Sequence, residues 1–167
     1  FHSRSYLAMH ERPSAGTRLR GPADGVTHRL VQYNPCSLRR AGRLGFILEQ
    51  LGKCSLVSLT GTRDRWQGEA CNVTSETGYT VYSWPALDKG AAYSNQHAGI
   101  ALCINRSLAA RGDIRKVFTP PSSLQGRLGG VRIVKGNMDW SVFSAYFPVS
   151  PHGVKGRLAV EEAAKQL

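Results

Sequence analysis

The sequence predicts an α/β fold with mixed, mainly antiparallel sheets. Three observations carry that expectation. An amphipathic helical face lies between two short apolar runs, a strand–turn–strand pattern occupies residues 127–148, and 18 glycines and 8 prolines punctuate a chain of 167 residues. The length suits one domain with a real core. An apolar content of 41% argues against a wholly disordered chain.

The first segment, residues 1–27, carries Arg4, Arg12, Arg18 and Arg20 among Ser, Gly and Pro with no sustained period, so it reads as a basic, mostly disordered arm. Order is expected from His28, in a domain over residues 28–167. Leu30-Val31-Gln32-Tyr33 suits a strand, which Pro35 ends because proline cannot donate to a ladder. Leu44, Ile47, Leu48 and Leu51 fall on one helical face, and Gly52 is a stop signal. Leu56-Val57-Ser58-Leu59 is a short buried strand, which completes a strand–helix–strand crossover. Residues 61–78 are polar and read as a loop. Tyr79-Thr80-Val81-Tyr82 alternates as a strand closed by Trp84-Pro85, and a further loop over 86–97 leads into the apolar strand Gly99–Ile104. Asp113–Phe118 is another strand, bounded by Pro120-Pro121. Val131–Val134 and Trp140–Tyr146 flank Lys135-Gly136-Asn137-Met138-Asp139, a hairpin signal. Arg157–Leu167 has helix-forming composition. There is no internal repeat of solenoid length.

Charge points toward a polyanionic partner. The formal net charge is +11, from 22 Lys+Arg against 11 Asp+Glu. Releasing counterions from nucleic acid would favour binding to such a surface. Lysine occurs only at 53, 89, 116, 135, 155 and 165, so arginine dominates, and guanidinium grips phosphate bidentately. The plainer alternative is a basic protein whose charge only keeps it in solution. Cys36, Cys54, Cys71 and Cys103 show neither CxxC spacing nor a nearby His that would complete a zinc pattern. Cys54 and Cys103 sit in apolar runs and read as core. These features imply a reducing, intracellular setting, with the nucleus one candidate. No run approaches the roughly 18 apolar residues needed to span a bilayer, and no signal-peptide pattern opens the chain.

The segments His28–Asn34, Leu56–Asp64, Gly99–Ile104 and Arg127–Pro148, the last ending Ser144-Ala145-Tyr146-Phe147-Pro148, carry a resemblance in their order. Together they resemble the first half of the endonuclease/exonuclease/phosphatase superfamily, found in repair nucleases and in the endonucleases of non-LTR retrotransposons. The resemblance runs over about residues 28–160. It implies a partial four-layer α/β sandwich and, in intact relatives, Mg²⁺-dependent phosphodiester hydrolysis on DNA or RNA.

The resemblance also assigns roles. Asn34 would position the phosphate, since an amide donates and accepts without adding negative charge. Asn34 before Pro35 also suits a simple turn. Tyr146, in Tyr-Phe-Pro, would donate its hydroxyl to the scissile phosphate, or it is an ordinary aromatic at a strand end. Asn34 and Tyr146 are thus the catalytic candidates, and Arg127 and Arg63 the phosphate-binding ones. Gly61 stands where the family carries its metal-binding glutamate, so no metal ligand is expected there and the site reads as impaired. His97, just before the Gly99 strand, reads as a loop residue, and His152 carries little weight because no paired carboxylate is identifiable. The sequence ends at Leu167 before the family's Asp-x-Asn motif and terminal Asp-His pair, so the domain is expected to be incomplete at its C-terminus. Three functions compete: a truncated or degenerate nuclease-like domain, a non-catalytic basic module for nucleic acid, and an unrelated α/β scaffold for protein partners.

Overall fold

Alternation along the strands sorts the apolar residues onto two faces of a central sheet. In the computed structural model, which describes residues 18–20, 27–64, 68–86 and 98–146, the chain order is β1 (Arg18–Arg20), β2 (Thr27–Tyr33), α1 (Arg43–Gln50), β3 (Leu56–Thr60), β4 (Asn72–Glu76), β5 (Tyr79–Trp84), β6 (Ile100–Asn105), β7 (Ile114–Phe118), β8 (Leu128–Lys135) and β9 (Met138–Ala145). A six-stranded sheet runs β1-β2-β3-β6-β5-β4, and a three-stranded sheet runs β7-β8-β9. Only β2 and β3 pair in parallel, joined through α1; every other pairing is antiparallel. The α/β class with mixed, mainly antiparallel sheets is therefore observed.

On one face of the large sheet, Ile47 and Leu48 of α1 pack with Val31, Val57, Leu59, Tyr79, Val81 and Cys103. The opposite face carries Leu56, Tyr82, Trp84, Ile100, Leu102 and Ile104 against Val131 and Ile133 of the small sheet. Helix, sheet and sheet thus make three layers around two cores. Sheets that bury both faces need apolar residues at consecutive positions, which is why β6 is buried from Ile100 to Ile104.

Three differences from the sequence expectations have physical reasons. Asn72–Glu76, expected within a loop, is an edge strand paired to β5. It is exposed over most of its length, so it lacks the apolar alternation that marks a strand. Its turn places Thr77 at φ 43° and Gly78 at φ 81°, a two-residue reversal in which threonine is unusual. Arg18–Arg20, expected within the basic arm, pairs antiparallel with Thr27–Arg29. The rest of that arm, residues 87–97 of the loop expected over 86–97 and the segment Arg157–Leu167 expected to be helix-forming lie outside the described residues. Finally, β8 begins at Leu128 rather than Val131, with Gly129 and Gly130 inside the ladder.

The buried groups set an alkaline limit on stability. Burial pushes the Cys103 thiol up to about 12 from 9.0. Tyr79 is raised as well, by burial first, against an opposing hydrogen bond from Asn105. Its single proton is shared between the Leu51 carbonyl at 3.0 Å and the Cys54 carbonyl at 2.8 Å. Both groups hold their protons more tightly folded than unfolded. Their contribution is complete below the ordinary thiol value of 9.0 and is lost as pH climbs toward 12. Urea midpoints measured between neutral pH and pH 11 should therefore fall above about pH 9. In Cys103→Ala the fall should be shallower; an unchanged slope would contradict the assignment.

Candidate nucleic-acid interface

The strand directions decide which residues meet. The His28 and Trp140 rings touch edge-on with centroids 5.3 Å apart. Four residues further along β9, Ser144 Oγ lies 2.9 Å from Ser58 Oγ of β3, the neighbour of β2. β9 therefore runs in the same sense as β2 and β3 on the facing sheet. The three strands finish at one end of the molecule, where Asn34, Gly61 and Tyr146 follow them.

A chain of backbone hydrogen bonds ties that end together. Thr62 N donates to Gly99 O at 2.9 Å and Arg63 N to Ala98 O at 2.9 Å. Gly99 N donates to Gly126 O at 2.8 Å, and Tyr146 N to Arg127 O at 2.8 Å. Buried Gln125 anchors the connection before Arg127, its Nε2 donating to Ala70 O at 2.8 Å and Pro85 O at 3.0 Å. The β2–α1 loop is fastened on the other side. Leu38 N donates to Thr62 O at 2.7 Å, and Arg39 Nε to Arg63 O at 2.9 Å. Asn34, Gly61, Arg63, Arg127 and Tyr146 are thus gathered by continuous contacts.

Backbone strain is concentrated here. Cys36 at φ 58° and Arg63 at φ 55° adopt the left-handed region, which costs a non-glycine residue about 1–2 kcal/mol. Asn34 Oδ1 accepts from Cys36 N at 2.9 Å, the side-chain turn that holds this loop. Its Nδ2 makes no hydrogen bond among the described residues. Arg127 is half-buried, its guanidinium carbon 6.0 Å from the centre of the Tyr146 ring, and burial lowers its pKa. It stays charged at neutral pH, because arginine starts so high.

The sequence expectations had left out the β2–α1 loop, which adds Arg39, Arg40 and Arg43. Arg43 Nη2 donates to Pro35 O at 2.7 Å, while Arg39 and Arg40 are exposed. The segments that meet here, 34–43, 61–64, 98–99, 125–127 and 146, hold five arginines and one carboxylate, Asp64. The signal in the sequence was the Arg39-Arg40 pair sharing a loop with Asn34. His97 and His152 lie outside the described residues.

The Mg²⁺ implied by the resemblance does not fit these residues. A divalent ion of this kind is held through carboxylate oxygens. Gly61 has none, sits at φ 67°, and a Cβ there would lie 2.8 Å from Asn34 Oδ1. The Asn34 carboxamide, the far end of an exposed side chain, would have to turn aside for a side chain at 61. Among the described residues no three His, Cys, Asp or Glu side chains cluster so as to hold a metal.

Known proteins agree on fold only. No protein-family model and no curated protein sequence matches the chain. Among solved structures, the AP endonuclease LMAP from Leishmania major superposes with a TM-score of 0.54 and 18% identity, over 78% of this chain and 43% of that one. The chain therefore spans less than half of that enzyme's length. At this identity the likeness establishes a shared α/β architecture.

Proposed function

We propose that the chain carries a degenerate nuclease-like domain of the endonuclease/exonuclease/phosphatase type that binds the phosphate backbone of nucleic acid at the common end of β2, β3 and β9. The observation that carries this reading is the convergence of Asn34, Arg63, Arg127 and Tyr146 there, with Arg39, Arg40 and Arg43 beside them and Asp64 as the one carboxylate of these segments. Asn34 Nδ2 and the Tyr146 hydroxyl donate to phosphate oxygens, while Arg63 and Arg127 balance the charge. Such contacts carry no sequence information, so binding is independent of sequence. The fold shared with an AP endonuclease supports the same class of partner. No step of bond cleavage follows from the described residues, which lack both a metal carboxylate at 61 and a paired general base.

Fluorescence anisotropy of labelled oligonucleotides across a salt series tests the reading. Affinity should fall steeply as salt rises, with a log–log slope of about 0.9 per duplex phosphate contacted. Absence of binding at low salt, or indifference to salt, would refute it. The same protein should leave a supercoiled plasmid intact in Mg²⁺, and Gly61→Glu alone should not restore nicking. EDTA-sensitive turnover that disappears in an Asn34→Ala, Tyr146→Phe variant would show instead a working hydrolase.

A further inference from the structure

We propose that the phosphate contact at this site is metal-independent, with the Arg39 guanidinium, tethered to the Arg63 carbonyl, supplying the positive charge that a divalent ion supplies in a carboxylate-bearing site. The inference rests on the function proposed above and deepens it.

Two observations say that a side chain at 61 would disturb the site as it stands. Gly61 adopts φ 67°, a conformation that strains any L side chain. The adjoining space is taken by Asn34, whose Oδ1 is held by the Cys36 N–H at 2.9 Å and would lie 2.8 Å from a Cβ at 61. A glutamate introduced at 61 would meet the residue that must face the phosphate.

Two further observations say what takes the ion's part. Arg39 Nε is fixed on the Arg63 carbonyl at 2.9 Å, which orients the guanidinium and leaves both Nη atoms without a hydrogen bond among the described residues. Those two nitrogens present the parallel N–H pair that fits a phosphate edge. Arg63, whose carbonyl receives Arg39, itself adopts φ 55°. A guanidinium already tethered loses less side-chain entropy on binding an anion than an untethered one.

The test compares oligonucleotide anisotropy in EDTA and in Mg²⁺ at equal ionic strength, for wild type, Arg39→Ala, Arg39→Lys and Arg106→Ala. Arg106 is exposed and follows β6, whose antiparallel pairing with β3 puts it at the opposite end of the sheet, so it controls for bulk charge. Wild-type affinity should agree in the two buffers within about twofold, with Mg²⁺ weakening rather than tightening binding through counterion competition. Arg39→Ala should weaken binding about tenfold in both buffers and lower the salt slope by about one contact. Arg39→Lys keeps the charge but not the fork, so it should fall between wild type and Arg39→Ala. Arg106→Ala should behave as wild type. The thermal midpoint should be unchanged in Arg106→Ala, and Arg39→Ala, which loses one exposed hydrogen bond, should stay folded by circular dichroism. Binding that requires Mg²⁺, or a saturable Mn²⁺ site seen by EPR and lost in Asn34→Ala, would overturn the inference while the proposed function stands. Equal losses from Arg39→Ala and Arg106→Ala would also overturn it, since the charge would then act diffusely. No binding in either buffer would remove the proposed function itself.

Discussion

Gly129→Ala is expected to lower the stability of the domain by about 3 kcal/mol or more, read as a large drop in its urea midpoint. Gly129 sits on the inner face of β8 opposite Ser144, directly beneath the Trp84 ring of the other sheet. A methyl group built there would lie 2.7 Å from Trp84 Cγ and closer still to the fused-ring carbons. The ring cannot move aside, because Trp84 is fully buried and its Nε1 donates to the Phe118 carbonyl at 3.1 Å. Relief therefore requires the two sheets to separate, which strips contacts from the whole second core. Over-packing of a tight core costs about 1–3 kcal/mol, and a clash against an immobile indole belongs at or above the top of that range. Domains of this size are stable by only about 5–15 kcal/mol, so the loss is a large fraction of the total. Urea unfolding followed by Trp fluorescence reads the effect. Gly112→Ala, with open space around its Cβ position and no positive φ, is the control and should shift stability by less than about 0.5 kcal/mol. A Gly129→Ala protein with a wild-type midpoint would mean that the sheets do not pack through this contact.

The same glycine shows where the sequence was legible and where it was not. Strands that announce themselves do so by apolar runs, as Leu56–Thr60 and Ile100–Asn105 do, and the 3.6-residue spacing of Leu44, Ile47, Leu48 and Leu51 marks α1 to within one residue at each end. Gly129 and Gly130 depress strand propensity, so β8 reads as starting at Val131. Their reason is tertiary: one faces Trp84 and the other faces Phe143. β4 was illegible for a different cause, being a polar edge strand whose order comes from its ladder with β5 rather than from burial. At the candidate site, Asn34, Gly61 and Tyr146 could be singled out only through the family resemblance of the segments that carry them. The route that joins them could not. It runs through backbone bonds of Thr62, Arg63, Ala98, Gly99 and Gly126, groups every sequence possesses. Arg39 was missed likewise, because what distinguishes it is a bond to a carbonyl 24 residues away.

That backbone route predicts a variant in which the site fails before the fold does. Gly99 lies at φ 101°, where an L residue is strained whatever the space. A Cβ there would press on Thr62 Oγ1 and lie 3.1 Å from Arg63 N and 3.2 Å from Asp64 N. These neighbours are the segment that carries Arg63, and two are backbone atoms that cannot rotate away. Gly99 also accepts from Thr62 N and donates to Gly126 O, so displacing it loosens the tie between Gly61–Arg63 and Gly126–Arg127. Gly99→Ala should cost about 2–3 kcal/mol through strain and close contact together. That is less than the whole stability of a typical domain, so the variant should still fold at room temperature. Its affinity for nucleic acid should nevertheless drop by about tenfold or more, with a shallower salt dependence, because the arginines no longer present one surface. Circular dichroism and urea midpoints establish the folded fraction, and anisotropy on the same samples measures binding. Arg106→Ala, which removes a charge at the far end of β6, should show neither effect. A folded Gly99→Ala protein that binds as tightly as wild type would place the nucleic-acid surface away from the end of β2, β3 and β9.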